Sequence, residues 1–88
     1  MSSEGVTTVE ESLRAFLEQR LKVPVATDRD LFADGLVASM FAMELVVHLE
    51  ETYDVAIVGR DLRLDNFRTI RAMTGLVLRL RDAGSDAR

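Results

Sequence analysis

The chain has 88 residues, 48% of them hydrophobic and 30% charged, enough apolar material for one small core and too little length for two. Fifteen acidic residues against eleven basic ones leave a formal charge of −4, which excludes a chain built to neutralise a nucleic-acid backbone, since that needs clustered surplus Lys and Arg. The absence of cysteine removes disulfides, thiolate nucleophiles and Cys-ligated zinc, and leaves stability to packing. Glu4 stands where a signal peptide needs basic residues, and no run approaches the roughly 18 apolar residues of a membrane span. The expectation is a soluble cytoplasmic monomer with neither nucleic acid nor membrane among its partners.

The elements follow in chain order. Thr7 and Thr8, followed by Glu10 and Glu11, form a Thr-x-x-Glu capping pattern that predicts a first helix beginning near residue 8. Val9, Leu13, Phe16, Leu17 and Leu21 recur on one helical face, and Val23-Pro24 stops the helix near Lys22, because the residue before proline is driven out of the α region. Residues 23 to 38 read as a long loop able to turn at Gly35 and pinned to the core by Leu31, Phe32 and Leu36. A second helix is predicted over 39–53, with Ala42, Leu45, Val46, Leu49 and Tyr53 on its core face.

Residues 54–59 alternate briefly, but a single short run with nothing to pair with makes no sheet. They read as loop, anchored by Val55 and Ile57. A short helical turn over 60–66 would carry Leu62 and Leu64. Thr69 is placed to cap a last helix with Ile70, Met73, Val77 and Leu80 on one face, ending at Gly84 and the polar tail. The expected fold is all-α: three main helices plus one short helix, with a long loop between the first and second.

Chemistry centres on Ser39, at the start of the second helix and just after Asp34-Gly35-Leu36. Serine there is either a helix cap or a modified or reactive site at the positive helix end. Catalysis would need a base, and His48, the one histidine, lies nine residues along the same helix, on its opposite side and about 13 Å away. Glu44, His48 and Glu51 have a spacing that could hold a metal, but no second helix repeats it, so no metal site is expected and His48 reads as a surface residue. Between Asp30 and Gly59 the acids are Asp30, Asp34, Glu44, Glu50, Glu51 and Asp54, with no Lys or Arg. They are interleaved with Met40, Met43 and Val47, a mixture that suits basic, apolar-edged partners.

The run Asp30-Leu31-Phe32-Ala33-Asp34-Gly35-Leu36-Val37-Ala38-Ser39-Met40, followed by Glu44-Leu45 and Leu49-Glu50-Glu51-Thr52-Tyr53-Asp54-Val55, resembles the acyl carrier proteins. The likeness runs from about residue 8 to 81. It implies an acyl-carrier-like bundle: a flexible N-terminus over 1–7, a carrier domain over 8–82 and a flexible tail over 83–88. By this resemblance Ser39 matches the serine to which a phosphopantetheinyl transferase attaches 4′-phosphopantetheine from coenzyme A. The chain would be a non-catalytic carrier holding an acyl group as a thioester. Met40, Met43, Glu44, Val47, Glu50 and Glu51 match partner-facing positions of the family's second helix. The implied partners are the transferase, an acyl-loading enzyme, acyl-modifying enzymes such as dehydrogenases, and an acyltransferase or synthase.

Two departures from the family pattern bear on the choice of transferase and on the pathway. The family usually has Asp-Ser-Leu at the attachment site, and this chain has Ala38-Ser39-Met40, leaving Asp34 to supply charge nearby. Arg60 and Arg63 stand where fatty-acid carriers are commonly acidic, which favours a specialised pathway. The chain looks similar to discrete polyketide carriers, including those for malonyl-type extender units such as methoxymalonyl. D-alanyl carriers, peptidyl carriers and a helical protein-interaction module without a prosthetic group are the alternatives.

Overall fold

A computed structural model describes residues 2–33, 35 and 37–86, with the side chains of 2–7, 39 and 83–86 outside that description. The order is α1 (Ser2–Leu21), α2 (Ser39–Tyr53), two 3-10 turns (Gly59–Asp61 and Leu64–Phe67) and α3 (Ile70–Asp86). No strand occurs among the described residues, so the fold is the all-α bundle expected.

Helix α1 starts at Ser2, well before the expected position near residue 8. Thr8 therefore lies inside the helix and does not cap it. A capping pattern marks a permissible start, and nothing in the residues before it, such as a proline, prevents further turns from adding to a formed helix. Its other end is as expected: Lys22 takes a left-handed φ of 65° and donates its N–H to Glu18 O at 2.8 Å, which closes the last turn before Val23-Pro24.

Helix α2 has the bounds expected of it and also ends left-handed, with Asp54 at φ 57°. Ile57 is buried and Val55 half-buried against the core, as the loop reading requires. The next segment differs from expectation. Two 3-10 turns replace one helical turn, and Phe67 is the residue they bury, while Leu62 and Leu64 are 48% and 44% exposed. Thr69 caps α3 as expected, its Oγ1 accepting the Ala72 N–H at 2.9 Å. The helix then continues past Gly84 to Asp86, because one glycine inside a helix costs only about 1 kcal/mol.

The core is a single apolar cluster. Val9, Leu13 and Leu17 of α1 meet Leu45, Val46 and Leu49 of α2 and Ile70, Met73, Leu76 and Val77 of α3, and Val25, Leu31 and Val37 of the long loop close it. Phe32 packs half-buried against the cluster, while Leu36, expected beside it, lies outside the described residues. Leu45 is fully buried. Leu45→Ala is expected to destabilise the fold by about 2–5 kcal/mol, seen as a lower urea midpoint with an unchanged slope.

Candidate functional site

The approach to Ser39 is built around Asp30. Its Oδ1 accepts the N–H groups of Phe32 at 3.1 Å and Ala33 at 2.9 Å, the side-chain turn characteristic of Asp in loops. Its Oδ2 pairs with Arg68 at 3.2 Å. These N–H donors, the Ala33 bond foremost, together with the Arg68 guanidinium, hold the Asp30 carboxyl below the usual carboxylate range, against a smaller opposing effect of burial. The backbone completes the attachment: Leu31 N donates to Arg68 O at 2.8 Å, Arg71 N to Thr27 O at 2.9 Å, and Val37 N to Leu31 O at 3.0 Å. Gly35 sits at a φ of 70° with its N–H on Phe32 O, a conformation that glycine adopts without strain. Asp34, expected to supply charge here, lies outside the described residues.

This loop delivers the chain to α2 with Ala38 in the capping position, extended at φ −81° and ψ 158°, and with no side-chain cap. Ser39 is the first helical residue. The capping reading of Ser39 is thus overturned by one position, since a cap must precede the helix with non-helical backbone angles. Phe41 N donates to Ala38 O at 2.9 Å. The first turn of α2 holds no acidic residue and its capping position no capping side chain, so the helix itself does not compensate the positive end of its dipole. A phosphodiester on Ser39 suits such an end, because helix N-terminal N–H groups and the dipole both favour a phosphate.

The rest of α2 divides by face. Met40, Met43 and Val47 are 85%, 61% and 48% exposed. Glu51 is exposed, and Glu44, also exposed, pairs with Arg20 of α1. The Arg20 guanidinium lies over the rings of Phe16 and Phe41, 5.7 and 5.0 Å from their centroids. Glu50 behaves differently from its neighbours. Half-buried, it accepts the Ile57 N–H on Oε2 at 2.8 Å and thereby holds the loop after α2.

His48 is not the surface residue expected. Its ring stacks on Phe16 with centroids 3.8 Å apart and planes 10° from parallel, and its Nε2 is buried without a partner. Nδ1 lies 3.3 Å from Thr52 Oγ1. Periodicity misses this because imidazole counts as polar while its ring packs like an aromatic. The stack turns His48 toward α1, and Glu44 is held by Arg20, so the Glu44-His48-Glu51 spacing does not converge on one point.

A family model described as the phosphopantetheine attachment site matches residues 11–77. The chain belongs to that family. Members carry 4′-phosphopantetheine covalently, act as carrier domains and work with phosphopantetheinyl transferases and acyl-processing enzymes. No curated protein and no solved structure matches the chain. No helix among the described residues is long and apolar enough to cross a membrane.

Burial in the stack lowers the His48 pKa, with the Glu51 charge opposing. A histidine whose folded pKa lies below its unfolded value stabilises the fold fully above about 6.5 and loses that contribution as pH falls below it, since the unfolded chain takes the proton first. His48→Phe, which keeps an aromatic ring on Phe16, is expected to flatten the decline of melting temperature between neutral and mildly acidic pH.

Proposed function

We propose that this protein is an acyl carrier whose Ser39 receives 4′-phosphopantetheine from coenzyme A. The arm holds an acyl intermediate or extender unit as a thioester, in polyketide or related secondary-metabolite biosynthesis, inside the cytoplasm and as a monomeric carrier unit spanning residues 8–82. The observation that carries the reading is the start of α2. Ser39 is the first residue of a helix with no side-chain cap and no acid in its first turn, and it follows a loop tied down at Asp30, Leu31 and Val37. A serine there joins a phosphate to a helix end that favours it. The chain has no cysteine, and the prosthetic thiol supplies the missing sulfur on a tether that raises the cargo's effective concentration at a docked enzyme.

Docking falls to the exposed face of α2. Met40, Met43 and Val47 offer adaptable apolar contact, and Glu44 and Glu51 offer charge for the basic edges of the transferase and of acyl-loading, acyl-modifying and acyl-accepting enzymes. Glu50 belongs to the same helix but is occupied by Ile57, so its part is to hold the fold.

Intact mass after incubation with coenzyme A and a broad-specificity transferase tests the attachment. The expected result is one phosphopantetheine on the wild-type peptide containing Ser39 and none on Ser39→Ala. Absence of loading by a transferase active on a control carrier overturns the assignment in favour of a helical interaction module. Glu51→Lys is expected to lower transferase kcat/KM about 2–5-fold, the worth of an exposed ion pair, with circular dichroism and melting unchanged. Glu50→Lys should lower the melting temperature instead, because it leaves the Ile57 N–H without its acceptor.

A further inference from the structure

Between α2 and the second 3-10 turn lies a groove of about 200 Å³. Ala42, Met43 and Val46 form one wall, and Leu62, Leu64 and Phe67 the other. Arg63 is the one charged residue among those lining it. Two other guanidinium groups of this region are already paired. Arg68 is shared between Asp30 and Asp65, and Arg79 lies 3.8 Å from Asp61. Asp61 and Asp65, each two residues from Arg63 in the chain, are thereby engaged by Arg79 and Arg68. Arg63 itself is exposed and has no ion-pair partner among the described residues.

The groove is also within reach of the proposed attachment point. Ser39, Ala42, Met43 and Val46 are spaced i, i+3, i+4 and i+7 along α2, so they share one stripe of the helix. Met43 is about 6 Å along the axis from Ser39. A chain tethered at Ser39 that follows this stripe enters the groove with apolar walls on both sides and Arg63 as its one cationic group.

We propose that Arg63 is a cargo-selecting residue, reading a carboxylate on the acyl group carried by this protein. The cargo class is a dicarboxylic half-thioester, a malonyl-type unit whose short chain lies against Met43, Val46 and Leu64 and whose free carboxylate meets the Arg63 guanidinium. This rests on attachment at Ser39. Charge complementarity distinguishes the occupant: a purely aliphatic acyl chain leaves Arg63 unpaired, whereas a carboxylate satisfies it with a charge-assisted bond of the kind guanidinium forms best. Arg60 carries the same charge three residues earlier but does not line the groove, which makes it the matched control for net charge.

The test loads wild type, Arg63→Gln and Arg60→Gln with a pantetheine arm bearing malonyl labelled with carbon-13 at the free carboxylate, with butyryl, and with the free thiol. The carboxylate is then titrated by NMR, and the backbone amides of Met43, Val46 and Leu64 are followed. The expected result is a malonyl acid dissociation constant about 2–5-fold larger on wild type and Arg60→Gln than on Arg63→Gln, matching an exposed ion pair. The malonyl-dependent amide shifts should be lost in Arg63→Gln while those of butyryl persist. Equal titration on all three proteins overturns the assignment. If Arg63→Gln perturbs the free-thiol form as strongly as the malonyl form, the anion read is the arm's own phosphate and cargo selection falls. Failure to load Ser39 at all, visible by mass before any titration, overturns the carrier reading and this inference with it, whereas normal loading with no malonyl effect overturns this inference alone.

Discussion

The long crossing from α1 to α2 depends on one carboxylate. Asp30 accepts two backbone N–H groups of its own loop and binds Arg68, which leads into α3. Local turn and distant helix are thereby tied through the same side chain, and the Leu31 and Arg71 backbone bonds run between the same two segments. An exposed ion pair alone contributes little. Here it works together with buried Leu31 and Val37, so the loop is placed by apolar burial and given its direction by the Asp30 bonds. The entry of α2, and with it Ser39, follows from that placement.

Once positioned, α2 serves two purposes on two faces. Leu45 and Leu49 are fully buried, and each such side chain contributes about 1.5–3 kcal/mol relative to exposure. With the core face committed, the face bearing Met40, Met43 and Val47 is left open at little cost to stability. A carrier that visits several enzymes needs this arrangement, because each partner must find the same surface without the fold rearranging. The aromatic group at the α1 side, Phe16 with Phe41, His48 and Arg20, holds the helix against α1 and takes Glu44 into an ion pair.

How much of this was legible in the sequence differs by element, for physical reasons. The second helix could be read to the residue, since its core face repeats at 3.6 and its neighbours on both sides are loop formers. The start of α1 could not, because a capping pattern competes only weakly with continued propagation. The burial of the 3-10 segment was not legible: Leu62 and Leu64 are apolar yet exposed, and Phe67 takes the core position. Ser39 was found as a candidate at the start of that helix, and only its reading as a cap failed, because the capping position falls to Ala38.

Glu50 and His48 show most clearly where sequence and tertiary structure part. Both stand in an acidic, polar-looking stretch of α2, and composition assigns both to the outside. Composition, spacing and motif determined that the chain is all-helical, that its second helix begins at a serine after an Asp-Gly loop, and that the acids gather around that helix. These are local properties, set by periodicity and by residue type. Only the tertiary structure decided which of those polar groups were spent within the fold, Glu50 on the Ile57 N–H and His48 on the face of Phe16, and which, like Glu51, stayed exposed. Such choices depend on residues distant in sequence arriving at the same point, and no local pattern encodes that arrival.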